Sequence, residues 1–215
     1  MTAARPEESA SLKPYRDAMA LHGPGFDATL WRKPEAQQLR FAVALEMLPC
    51  AGHRVADLGC GVGDLVQTLA GHRSVPSAYL GVDGQPEMVA EAQSRCEQAL
   101  PFNTSFAVLD MTGDLSQVAD WSPDVCVMSG SLNTMAQEEA LKVVAAAFEM
   151  ASIGVVFNFL SDMPDARYRG TDTAPARRFH TTEVLRWCMQ QTPLVQFRQD
   201  YLDGHDATIA MRHSA

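Results

Sequence analysis

Cationic side chains are scarce in this sequence: 17 Lys and Arg stand against 26 Asp and Glu, a formal net charge of −9. A chain with that balance has no overall positive field to gather a phosphate backbone, so nucleic acid is excluded as an expected partner. Also absent is any run near the roughly 20 consecutive apolar residues that a membrane-spanning helix needs. Residues 1–17, MTAARPEESASLKPYRD, lack the apolar core of a secretion signal. Membranes are therefore not expected as partners, and a cytoplasmic location is. The five cysteines, Cys50, Cys60, Cys96, Cys126 and Cys188, form no C-x-x-C pair and no cluster with histidines. Neither a metal site nor a disulfide framework follows from them, and they read as small buried hydrophobes. Internal repeats and low-complexity tracts are missing as well.

What is present is an ordinary core. At 215 residues and 47% hydrophobic content the chain suits a single domain. Short apolar runs alternate with segments of helical period: RVADLG then DLVQTLAGH, SAYLGVD then QPEMVAEAQSRCEQAL, TSFAVLDM, PDVCVMSG then AQEEALKVVAAAFEMA, and GVVFNFLS. Strands apolar on both faces and separated by helices predict a parallel sheet covered on two sides. The alternation then breaks. TTEVLRWCMQQ predicts a helix, and LVQFRQDYL and ATIAMRH around DGHD predict an antiparallel hairpin. PEAQQLRFAVALEML, residues 34–48, predicts a helix opened by Pro34. The expected divisions are a helical cap over 1–49, a ligand-binding core over 50–160, an insertion over 162–180 and a C-terminal helix and hairpin over 181–215.

The most informative stretch is RVADLGCGVGDL, where Gly59, Gly61 and Gly63 follow a strand and an acid. A glycine-rich strand-to-helix turn at the carboxyl edge of a parallel sheet is where such sheets bind ligands, because the backbone turns sharply and a ligand can touch it. The spacing rejects two common ligands. A dinucleotide fingerprint requires glycine where Asp64 stands, and a P-loop requires a Lys that is not there. Asp57, Gly59, Gly61 and Gly63 instead form D-x-G-x-G-x-G, which resembles motif I of the class I S-adenosylmethionine-dependent methyltransferases.

That resemblance implies a Rossmann-like three-layer α/β fold, with a seven-stranded sheet of order 3-2-1-4-5-7-6 and an antiparallel C-terminal hairpin. It also implies S-adenosylmethionine as cofactor. Asp83, which closes the second strand 20 residues after Gly63, matches the acid that binds both ribose hydroxyls. Asp110, beside Met111, matches the acid that meets the adenine amino group, and Met88 matches the apolar contact with the adenine face. Cys60, Gly84 and Ser129 complete the implied cofactor set. MSGSLNT after the fourth strand does not match the Asn/Asp-Pro-Pro-Tyr/Phe signature of enzymes that methylate amino groups of DNA bases or protein Gln.

Ahead of this core, Trp31, Glu35, Gln37, Arg40 and Phe41 resemble the opening of a poorly characterised bacterial subgroup of the family. The reading drawn from it is a cap over the cofactor, with Arg40 pairing the methionyl carboxylate and Trp31, with Tyr15 and His22, forming a lid. The expected acceptor is a small molecule. His22, Asn158, Arg177 and Arg178 are the candidate substrate residues, the two arginines attracting an acidic group. No catalytic base is singled out: His22, His180 and His205 are available, without a diagnostic spacing. Two alternatives stay open, cofactor binding without transfer and aminopropyl transfer on the same fold, the latter disfavoured if Arg40 binds the carboxylate.

Overall fold

The computed structural model describes residues 9–71, 75–97 and 100–214. A 3-10 turn at Ala10–Leu12, helix α1 at Lys13–His22 and a 3-10 turn at Phe26–Thr29 lead into helix α2 at Pro34–Met47. Strand and helix then alternate through β1 (Arg54–Leu58), α3 (Asp64–Ala70), β2 (Ala78–Asp83), α4 (Pro86–Arg95), β3 (Asn103–Val108), α5 (Ser116–Trp121), β4 (Val125–Met128), α6 (Gln137–Met150) and β5 (Gly154–Ser161). A two-residue β6 (Arg178–Phe179), α7 (Thr181–Gln191), β7 (Val195–Arg198) and β8 (Asp206–Arg212) complete the chain.

The sheet runs β3-β2-β1-β4-β5-β8-β7, which is the expected order once the short β6 is counted. Strands β1 to β5 are parallel, and β8 lies antiparallel between β5 and β7. The winding reverses between β1 and β4, so the switch point of this α/β sheet falls where the glycine turn leaves β1.

Alternation along each strand builds two cores. Val55 of β1, Val125 and Val127 of β4 and Val156 of β5 face α2 and α3 through Phe41, Leu45, Leu65 and Leu69. Their neighbours Ala56, Leu58, Cys126, Met128, Val155 and Phe157 face α6 and α7 through Val143, Val144, Val184 and Cys188. Apolar residues on both faces of the central strands are what two helical layers demand. Among the described residues no helix is long and apolar enough to cross a membrane.

Several elements differ from the sequence expectation. Helix α1 fills a stretch that reads as irregular in the sequence; it buries none of its residues fully, and Ala18 and Met19 pack against the small cluster of Ala28, Val62 and Met88. Helix α5 has 6 residues, too few to show a period; at its start Asp114 accepts from Ser116 N at 2.8 Å. The 162–180 insertion is anchored by β6, which adds a parallel pair to the end of β5 at Leu160 and Ser161. Helix α4 ends at Arg95 rather than at residue 100, and residues 98 and 99 lie outside the described part of the chain.

Candidate functional site

At the end of β1 the chain folds across the tip of β2: Gly59 N and Cys60 N both donate to Val82 O, at 2.8 and 2.9 Å. Gly59 has φ +83°, and a Cβ there would lie 2.3 Å from the Cβ of Ser131. No side chain fits at that crossing of β1 and the β4 loop. Gly61 N then donates to Asp83 Oδ2 at 2.9 Å, while Asp83 Oδ1 accepts from Gln85 N at 2.9 Å. Thus the acid closing β2 holds the glycine turn of β1 in place.

One pocket opens on this turn, and the space around it, open solvent at its mouth included, is about 730 Å³. Asp57, Asp83 and Asp110 line it from the ends of β1, β2 and β3, with Met88 and Met111 among them. Gly59, Cys60, Gly61, Gly84, Ser129 and Trp31 line it too. Gly63 does not; it opens α3 in a left-handed conformation. Asp110 Oδ1 accepts from Thr112 N at 2.9 Å and Thr112 Oγ1 at 2.8 Å, which orients its carboxylate. Asp83 is held above its ordinary value by desolvation first, its two backbone donors opposing and Asp110 adding.

Asp57 is the most perturbed of the three. Burial pushes its carboxyl up to about 7; the Tyr79 hydroxyl, donating at 2.5 Å, opposes this, while Asp83 and Asp64 add to it. A carboxyl raised in the fold stabilises it while protonated, and that contribution is lost as pH climbs from the unfolded value near 4 to about 7. Asp57→Asn, which keeps an acceptor for Tyr79, is therefore expected to match the wild type near pH 4. It should exceed it by about 4 kcal/mol above pH 8, since each pH unit between those two values is worth about 1.36 kcal/mol. Urea denaturation at pH 4, 6 and 8 checks this; a difference independent of pH would refute it.

The roof comes from the N-terminal segment. Leu12 packs over Gly84, where a Cβ would meet its side chain at 2.6 Å, and Trp31 packs over Gly130, where a Cβ would meet the ring at 2.1 Å. Tyr15 lines the pocket and donates from its hydroxyl to Gly130 O at 3.3 Å. The wall after β4 is braced from three sides. Asn158 on β5 accepts from Gly130 N at 2.9 Å and donates to Ser129 Oγ at 2.8 Å, Ser131 Oγ donates to Leu58 O at 3.0 Å, and Asn133 donates to Arg177 O at 2.8 Å. Ser11, Leu12, Thr29, Ser131, Thr134 and Met135 line the pocket without being singled out by the sequence. Only Gly84 and Gly130, as places of close approach, hint at them.

Several expectations need correction. Arg40 is not in the pocket wall: Nε and Nη2 donate to the two carboxylate oxygens of Asp206 at 2.6 and 2.5 Å, and its guanidinium stacks 4.4 Å from the Trp31 ring. With its fork filled it has no donor pair left for a methionyl carboxylate, and it gives no reason to disfavour aminopropyl transfer. Arg178 is likewise engaged, donating to Ser161 O at 2.6 Å and lying 3.0 Å from His205 Nδ1. Arg177 is exposed and contributes its backbone to Asn133. His22 is exposed at the end of α1, and neither it nor His180 nor His205 lines the pocket. Asn158 lies behind the wall, buried at 2% exposure.

Comparison with known proteins bears on the same region. A family model described as a methyltransferase domain matches residues 55–154. Among curated relatives, the 23S rRNA uracil C5-methyltransferase RlmD of Shewanella amazonensis is 39% identical over 83 residues, 38% of this chain and 18% of that protein. The same enzyme of Shewanella denitrificans is 40% identical over 67 residues, 30% of this chain and 14% of that protein. The chain thus spans less than a fifth of the length of these relatives. Magnesium protoporphyrin IX methyltransferase from Synechocystis, crystallised with S-adenosylmethionine, superposes with a TM-score of 0.66 at 17% identity, covering 99% of this chain and 100% of that one. The small RNA methyltransferase HEN1 superposes with a TM-score of 0.68 at 13% identity, over 86% of this chain and 26% of its own.

The expected exclusion of nucleic acid is overturned by these relatives, since both RlmD and HEN1 are named for RNA methylation. Net charge averaged over 215 residues does not report the field at one pocket mouth, where an acceptor enters. The glycine turn at the switch point, the ring of strand-end acids and these likenesses agree: residues 55–154 match a methyltransferase domain, and the chain has the Rossmann-like fold of the methyltransferases it superposes on.

Proposed function

We propose that this chain transfers a methyl group from S-adenosylmethionine to an acceptor by in-line displacement. The observation that carries the reading is the convergence of Asp57, Asp83 and Asp110 on one pocket around the glycine turn. The residues suit the molecule. Asp83 has lone pairs beyond those used by Gly61 and Gln85, enough to accept from a pair of adjacent ribose hydroxyls. Asp110 accepts from an adenine amino group, Met88 and Met111 cover the base, and Asp57 faces the methionyl ammonium. Gly59, Cys60 and Gly61 form the floor, Gly84 and Ser129 flank it and Trp31 closes it; Gly63 starts the helix behind it.

The bound cofactor supplies an electrophilic methyl on a sulfonium. The protein then acts by positioning and by excluding water. The cap over 9–49 and the braced wall after β4 confine one small reacting group against that methyl, whether the group belongs to a free metabolite or to a nucleobase of RNA. The five free cysteines suit a reducing compartment, and we place the reaction in the cytosol.

The test is transfer from tritium-labelled S-adenosylmethionine, offered in parallel with total RNA and with a low-mass metabolite fraction. Labelled product in either arm supports the proposal. Protein that binds S-adenosylhomocysteine yet labels nothing would make the chain a binder of the cofactor and not an enzyme.

A further inference from the structure

Outside the cofactor pocket, three basic side chains from distant parts of the chain meet around one turn. Arg178 of β6 donates from Nη1 to Ser161 O at 2.6 Å and from Nη2 to Tyr168 O and Thr171 Oγ1, each at 3.4 Å. Arg32 of the cap donates from Nη2 to Asp172 O, one residue further along, at 3.2 Å. His205, just before β8, places Nδ1 3.0 Å from Arg178 Nη2 and its ring 4.8 Å from that of Tyr168. Apart from that ring nitrogen, every partner of the two guanidinium groups is a neutral oxygen.

The acids in the neighbourhood are committed elsewhere. Asp206 accepts from both Nε and Nη2 of Arg40. Asp162 accepts from Thr181 N and lies 3.0 Å from His180 Nδ1, Asp165 and Asp203 pair with Arg167, and Asp172 Oδ1 accepts from Ala174 N at 2.9 Å. Neither Arg32, Arg178 nor His205 forms an ion pair with a described carboxylate. Arg178 has spent its donors on neutral groups, and its charge remains.

Arg178 can only donate, so His205 Nδ1 accepts and the ring proton sits on Nε2. Desolvation is the first cause holding this imidazole below its ordinary value; Asp206 opposes it, and Arg178, Arg40 and Arg32 add to it. The ring is therefore neutral, and its Nε2–H has no hydrogen-bond partner among the described residues. Arg32 is exposed and His205 and Arg178 are half-buried, so a dissolved anion reaches all three.

Two guanidinium charges without a carboxylate, beside an unused N–H, suit an anion with several oxygens, and phosphate is the one whose geometry a guanidinium matches. S-adenosylmethionine carries no phosphate, so a phosphate held here belongs to another molecule. The cluster borders the pocket: Arg32 follows Trp31, which packs over Gly130 in the pocket wall. We propose that Arg32 and His205, in the field of Arg178, hold a phosphate group of the methyl acceptor. Its assignment to the acceptor rests on the methyl-transfer reading above; the binding of phosphate does not. A phosphodiester of RNA and a phosphate ester of a metabolite present the same oxygens, and the test separates them.

The first measurement follows the histidine ring signals of the full chain by NMR at constant pH, titrated with inorganic phosphate and, in parallel, with sodium chloride at equal ionic strength. A saturable shift of the His205 signals with phosphate alone is expected. Arg32→Ala should weaken it about 5-fold, as loss of one exposed charged contact does, with S-adenosylhomocysteine affinity changed less than 2-fold. No saturable shift, the same shift with chloride, or an affinity that Arg32→Ala leaves unchanged would overturn the site. Competition then compares a short single-stranded oligoribonucleotide with glycerol 3-phosphate, and the tighter competitor names the source. If neither displaces phosphate more tightly than phosphate itself binds, the acceptor role is overturned. Failure to bind S-adenosylhomocysteine in calorimetry would overturn methyl transfer while leaving the phosphate site standing.

Discussion

Arg40→Ala should destabilise the fold by about 3–5 kcal/mol, the usual consequence of leaving one member of a buried ion pair uncompensated. Arg40 and Asp206 are 5% and 2% exposed and joined by two hydrogen bonds, so the deserted carboxylate has no route to water. Because the pair is buried, its desolvation works against it. Replacing both partners, Arg40→Met with Asp206→Leu, is expected to recover most of the loss. Arg40→Lys should not rescue, since an ammonium cannot reproduce the fork. The pair also matters to the site: it joins α2 to the start of β8 and supports Trp31, which the guanidinium stacks on one side and Gly130 meets on the other. Urea midpoints for the three variants check the series, and a single alanine change within 1 kcal/mol of wild type would refute it.

Asp83→Ala is expected to weaken S-adenosylhomocysteine binding at least 100-fold. On the proposed role it removes two charge-assisted hydrogen bonds to the ribose, each worth about 1.5–3 kcal/mol. It also frees Gly61 N and Gln85 N from the acceptor that holds the glycine turn. Asp83→Asn retains one acceptor but turns an NH2 group toward one of those two backbone donors, so an intermediate loss is expected. Calorimetric titration reads both, and an affinity within 3-fold of wild type for Asp83→Ala would remove Asp83 from the cofactor site.

Much of this is legible in the sequence because the relevant signals are local. The order of the sheet follows from runs apolar on both faces together with the family resemblance, and the switch point follows from Gly59 and Asp57, whose spacing marks a strand turning into a helix under a ligand. Asp83 and Asp110 follow from the family resemblance laid onto the ends of the second and third strands. What is not legible depends on partners distant in the chain. Arg40 meets Asp206 across 166 positions, and nothing near either residue announces the other. Asn158 is a brace for Gly130 and not a substrate contact, a role visible only when β5 is laid beside β4. Ser11, Leu12 and Tyr15 reach the pocket from a segment that buries almost none of its side chains fully, so nothing local marks them as lining residues. The exclusion of nucleic acid fails for a related reason, since it draws a local conclusion from a global charge.

The most direct measurement is a crystal structure of the protein grown with S-adenosylhomocysteine. The expected map shows the nucleoside on the glycine turn, its ribose hydroxyls within hydrogen-bond distance of both Asp83 oxygens and its adenine at Asp110 between Met88 and Met111. Density for the nucleoside in another part of the molecule, or a ribose without contact to Asp83, would contradict the assignment.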